Sequence, residues 1–95
     1  MKIFLDDVRE TPVGWVRTYT AEETIKLLGN NNVREVSLDH DLGEDKLEGY
    51  KVLTWIEEQV YSNFYTPPII HIHTDNPTGR KRMIAAVKSI EKMRR

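Results

Sequence analysis

Cysteine is absent from the chain, which excludes disulfides, zinc knuckles and thiol chemistry together. Proline (four) and glycine (five) are sparse among the 95 residues, and no linker or low-complexity segment interrupts the chain. No apolar run exceeds a few residues, which excludes a membrane-spanning helix by length. The opening Met1-Lys2-Ile3-Phe4-Leu5 meets Asp6 and Asp7 before a signal peptide's apolar stretch develops. Neither sign of charge dominates, since 14 Lys/Arg oppose 15 Asp/Glu for a formal net charge of −1. A sequence-specific reader of duplex DNA wants a net-basic, groove-facing surface, so that class is not expected. A hydrophobic fraction of 39% supports one modest core, so residues 1–95 are expected to form a single domain, cytoplasmic by default.

The near-neutral total conceals two unlike segments. Residues 1–78 carry seven Lys/Arg against fourteen Asp/Glu, whereas residues 79–95 carry seven Lys/Arg against Glu91 alone. An acidic body with a basic C-terminal segment has opposed electrostatic surfaces. The basic segment is either a solvated helix face or an anion-binding element.

Periodicity gives the order of elements. Lys2 to Leu5 is a short apolar run that ends in acids, as a buried strand would. Thr11-Pro12-Val13-Gly14 is a turn, and Trp15 to Tyr19 alternates as a second strand. Thr20 and Glu23 form a capping box, so a helix starts there, with Ala21, Thr24, Ile25 and Leu28 inward and a stop at Gly29 to Asn32. Glu35 to Leu38 is a third strand running into Asp39-His40-Asp41. Tyr50, Val52, Leu53, Ile56 and Val60 recur at helical spacing. Pro67-Pro68 precede a fourth strand, Ile69 to Ile72, which runs into His73-Thr74-Asp75-Asn76. Asn76-Pro77 is a helix start, and Met83, Ala86, Val87, Ile90 and Met93 form that helix's apolar stripe. Strands alternating with helices predict right-handed crossovers and a mostly parallel α/β sheet.

In a parallel sheet the strand C-termini share one edge, where ligands bind. Three segments therefore send Asp6 and Asp7, then Asp39, His40 and Asp41, then His73 and Asn76 to one place. Hard carboxylate oxygens from two strand ends suit Mg²⁺ or Mn²⁺. The candidate ligands are Asp6, Asp7 and Asp39, with Asp41 next; the alternative is acids that are solvated or cap the following turns. His40 lies between two aspartates, which favours its protonated form, suited to a general acid or a phosphate contact. His71 and His73 are two apart on a strand and share a face. Such a pair suits zinc, but His71 also reads as an ordinary strand residue, and His73 lies nearer the edge. Arg80, Lys81 and Arg82 fall in a helix's first turns, against the macrodipole. With Thr78 and Gly79 at that helix start, Arg80 makes a charge-assisted anion contact.

Asp6-Asp7, Asp39 and Thr74 resemble the layout of response-regulator receiver domains, in which the first acids hold Mg²⁺ and the later aspartate accepts phosphate. No counterpart of the fifth strand and its lysine follows, so an ordinary phosphorelay receiver is not expected. Leu5-Asp6-Asp7-Val8-Arg9, Leu38-Asp39-His40-Asp41-Leu42 and His73-Thr74-Asp75-Asn76-Pro77-Thr78-Gly79 together more closely resemble the cyclic-phosphate processing receiver domains, with Thr74 in place of the usual serine. The resemblance also takes in Gly14-Trp15 and Gly49-Tyr50. It implies a three-layer receiver-like (flavodoxin-like) fold: a parallel sheet of about four strands with flanking helices.

The resemblance implies a metal-dependent phosphoesterase, a cyclic phosphodiesterase that takes 2′,3′-cyclic phosphate ends of RNA or related cyclic nucleotides, in RNA repair or conflict systems. Asp39, His40 and His73 would then be catalytic, with Asp39 either a ligand or a nucleophile. Arg9, Thr74, Asn76 and Arg80 would hold phosphate, although Asn76 is equally explained as a helix N-cap. Two alternatives stand beside this reading: a non-catalytic module that sequesters a cyclic nucleotide, and a receiver-like interaction domain.

Overall fold

A computed structural model describes residues 1–30, 32–39, 48–74 and 77–93. Its elements run β1 (Lys2–Leu5), β2 (Val16–Thr18), α1 (Ala21–Asn30), β3 (Glu35–Leu38), α2 (Glu48–Asn63), β4 (Ile69–Ile72) and α3 (Pro77–Met93). The strands form one sheet in the order β2-β1-β3-β4, and every neighbouring pair is parallel. This is the parallel α/β sheet that the alternation of elements predicts, and the receiver-like sheet of about four strands that the resemblance implies. None of the described helices is long and apolar enough to cross a membrane.

Local chemistry explains the element ends. Thr20 caps α1, its Oγ1 accepting the backbone N–H of Glu23 at 3.1 Å, which satisfies one of the helix's orphan donors. The helix runs through Gly29 to Asn30, slightly past the expected stop. Two buried threonines tie it to the sheet, Thr18 Oγ1 and Thr24 Oγ1 lying 2.6 Å apart. After α2, Phe64 takes a left-handed φ of 55° and turns the chain towards Pro67 and Pro68.

Strand parity divides the sheet into two unlike faces. The register aligns Ile3 with Val36 and Ile70, and Leu5 with Leu38 and Ile72. These rows meet Leu28 of α1, Val52, Leu53, Ile56 and Val60 of α2, and Met83 and Ile90 of α3 in one core. The opposite rows are Lys2, Glu35, Ile69 and then Phe4, Ser37, His71.

Handedness explains why α1 and α2 share one face. The steps β2 to β3 and β3 to β4 run in the same direction across the sheet, so right-handed crossovers place α1 and α2 on one side. The step β1 to β2 runs the other way, which sends the connection 6–15 to the far side. Trp15 of that connection meets Phe4 edge-on at 6.4 Å and His71 at 6.2 Å, with Lys2 Nζ 5.6 Å from its ring centre. Among the described residues the far face thus has an aromatic strap where a flanking helix was expected. A polar cluster continues beside it. His71 Nε2 lies 2.9 Å from Glu35 Oε1, and this bond is the main reason the Glu35 carboxyl sits below its ordinary range.

Candidate carboxylate site at the sheet edge

The ladder continues past the strand ends. Asp39 N–H donates to the Leu5 carbonyl at 3.1 Å and His73 N–H to the Leu38 carbonyl at 3.0 Å. The next row on the helix-free face is therefore Asp6, Asp39 and His73, in step with Phe4, Ser37 and His71. One oxygen each from Asp6, Asp7 and Asp39 falls within 4.8 Å of the others. It is the one group of three or more potential metal ligands among the described residues.

The three acids are not equivalent. Asp6 is completely buried; its Oδ1 accepts the backbone N–H groups of Val8 at 2.8 Å and Arg9 at 3.0 Å. Its Oδ2 lies 3.0 Å from His73 Nε2 and 3.9 Å from Arg9 Nε. Asp7 is exposed and Asp39 half-buried. Burial alone would raise the Asp6 carboxyl, but the Val8 and Arg9 donors and then His73 outweigh it and hold it below its ordinary range. The acid is thus kept as an anion inside the protein.

His73 is the second anchor. Its ring stacks on Phe4 with centres 4.4 Å apart and an interplanar angle of 1°, and its Nδ1 lies 2.6 Å from Ser37 Oγ. Burial lowers its pKa, while Asp6 and Asp39 pull the other way. Both ring nitrogens are therefore engaged within the protein.

This environment predicts a pH dependence. A histidine kept neutral in the folded chain would protonate near its ordinary 6.5 once unfolded. Its contribution to stability is complete above that pH and shrinks as pH falls below it, because the unfolded chain then binds the extra proton. Asp6 adds a second loss at lower pH, below its ordinary 3.8, as its lowered carboxyl is finally protonated. In EDTA, the wild-type melting temperature should fall from about pH 7.5 to about pH 5 more steeply than that of His73→Gln. Equal slopes would contradict it.

The other candidates are placed as follows. Arg9 is exposed and stands beside Asp6 at the rim. Thr74 is buried directly after His73. Arg80 Nη1 donates to the Ile72 carbonyl at 3.4 Å, at the end of β4. Arg82 sits 5.0 Å over the Tyr50 ring. His71 and His73 share a face but face different acids, Glu35 and Asp6. His40, Asp41 and Asn76 lie outside the described residues.

Three further positions reach the site without a role assigned from sequence. Ser37 and Phe4 reach His73, and the only signal is parity, since they stand two residues before Asp39 and Asp6. Gly49, in the first turn of α2, lies against the Asp39 backbone; a Cβ there would collide with the Asp39 carbonyl oxygen and come within 2.7 Å of Met83 Cε. A glycine early in a helix, within the Gly49-Tyr50 pair that the resemblance takes in, is the hint.

These three carboxylates, oxygen donors only and with Asp7 exposed, are the residues that could hold a hard cation. Comparison with curated proteins and with solved structures returns no match. A family model described as "Cyclic-phosphate processing Receiver domain" matches residues 1–89.

Proposed function

Since this chain belongs to the cyclic-phosphate processing receiver domain family, we propose that it binds and hydrolyses cyclic phosphodiesters at the carboxylate edge, with a divalent cation. The observation that carries this reading is the convergence of Asp6, Asp7 and Asp39 within 4.8 Å in a chain of that family. Three crowded anions are costly without a counter-charge, and a substrate phosphate adds more negative charge to the same edge. Asp6, Asp7 and Asp39 would hold Mg²⁺ or Mn²⁺, with Asp41 as a further candidate. Held there, a divalent ion would supply Lewis-acid polarisation of a phosphoryl oxygen and activation of water.

The chain's own residues account for the rest. Arg9, at the rim, neutralises phosphate charge. Thr74 and Asn76 orient the phosphate or the loop that bears them, and Arg80 contributes if its guanidinium leaves the Ile72 carbonyl. Water's oxygen forms the new bond to phosphorus and gives up one proton to solvent, the bond to one ribose oxygen breaks, and that oxygen takes up a proton. His40 is the better donor for this proton, because His73 has both nitrogens engaged and a lowered pKa. The ligand class is a 2′,3′-cyclic RNA end or a related cyclic nucleotide, which fits a role in RNA repair or conflict systems.

A purified protein mixed with an RNA oligonucleotide ending in a 2′,3′-cyclic phosphate should add one water in the presence of Mg²⁺ or Mn²⁺, read by mass spectrometry. No product from this RNA or from small cyclic nucleotides would overturn the hydrolytic reading. The engagement of both His73 nitrogens favours a second reading, a sequestering module; tight binding without turnover would select it.

A further inference from the structure

We infer that Ser37 is a positioning residue of the carboxylate site: its hydroxyl holds the His73 ring, and the ring holds Asp6. The functional consequence rests on the cation reading above, whereas the chain of bonds does not.

The direction of each bond follows from donor and acceptor chemistry. An ionised carboxylate only accepts, so the 3.0 Å contact between His73 Nε2 and Asp6 Oδ2 requires the proton on Nε2. In a neutral ring Nδ1 is then an acceptor, and the donor 2.6 Å away is the Ser37 hydroxyl. Ser37 is itself 7% exposed, and a buried hydroxyl is costly unless it is bonded. Both apolar neighbours in β3, Val36 and Leu38, face the helix side. Ser37 faces the other way, in the row of Phe4 and His71. Phe4, stacked flat on the imidazole, restricts its tilt. Ser37 restricts its rotation within that plane.

The consequence falls on Asp6. A carboxylate offers about four acceptor positions. The Val8 and Arg9 N–H groups take both on Oδ1, and His73 takes one on Oδ2. One position on Oδ2 remains, beside the Arg9 guanidinium 3.9 Å away, so Asp6 would hold a cation through that one oxygen. With the ring free to turn, Oδ2 would lose its reference and the ligand geometry would loosen. Partners that orient a ligand from behind typically contribute about 10- to 100-fold in metal affinity.

The test compares wild type, Ser37→Ala and Ser37→Thr by two readouts. In the metal-free, ¹⁵N-labelled protein the wild type should show a slowly exchanging His73 proton on Nε2. Ser37→Ala should broaden that signal and weaken Mn²⁺ binding about 10-fold, and Ser37→Thr, which keeps the hydroxyl, should restore both. An alanine variant with an unchanged signal and unchanged Mn²⁺ affinity overturns the inference, as does failure of threonine to restore either. If wild type binds no Mn²⁺, the cation reading fails separately, and the Nε2 signal alone then decides the role of Ser37.

Discussion

Asp39→Asn is expected to abolish metal-dependent opening of a cyclic phosphate, a loss on the order of 100-fold or more, while leaving the fold intact. Asparagine keeps the shape of the side chain and removes its charge and one hard oxygen. The remaining pair, Asp6 with one usable oxygen and the exposed Asp7, is a poor holder for a divalent ion. Stability should move in the other direction or not at all. In EDTA the three carboxylates repel one another within 4.8 Å, so removing one charge relieves strain, by no more than about 1 kcal/mol at a half-exposed position. Turnover with cyclic RNA and thermal unfolding in EDTA check the two halves. A variant that opens the ring at the wild-type rate would remove Asp39 from the site.

Gly49→Ala should be strongly destabilising, against the usual helix rule. In an ordinary helix alanine is better than glycine by about 1 kcal/mol. Here the added methyl would collide with the Asp39 carbonyl oxygen, lie 3.0 Å from the Asp39 carbonyl carbon and 2.7 Å from Met83 Cε. The methionine end can yield, but the backbone at a strand end cannot do so without moving Asp39. The start of α2 must then separate from the site, at about 2–3 kcal/mol by comparison with other overpacked positions. Gly29→Ala is the control. Its new methyl would meet only Trp55 Cζ2, at 3.9 Å, so it should stabilise by about 0.5–1 kcal/mol. Urea unfolding of the two variants should therefore give opposite signs, with cation affinity lost only in Gly49→Ala. A Gly49→Ala protein as stable as wild type would contradict this packing.

The elements and the carboxylates were legible because each rests on a local signal. Apolar spacing marks the inward stripes of α1, α2 and α3, and a parallel sheet carries the ends of β1 and β3, hence Asp6 and Asp39, to one edge. The helix-free face was harder to see, because it depends on the direction of each crossover and not on periodicity. Trp15 is the residue that covers it, and nothing in its immediate neighbours announces that role. Ser37 was hidden for a related reason: a serine within a strand becomes informative only once the register sets it beside His73. Arg80 shows the opposite case. Its position at a helix start predicts an anion contact, and its guanidinium also meets the Ile72 carbonyl at the end of β4, an acceptor that no spacing rule reveals. The partners of His40, Asp41 and Asn76 are left to the sequence, since these positions fall outside the described residues.

Direct titration with Mn²⁺, followed by electron paramagnetic resonance, tests the central claim that the Asp6–Asp7–Asp39 edge holds a divalent cation. The account predicts one Mn²⁺ per chain with a dissociation constant below about 1 mM, tightened by a cyclic nucleotide and lost in Asp7→Asn. Mn²⁺ that stays free, or that binds equally well to Asp7→Asn, would contradict it.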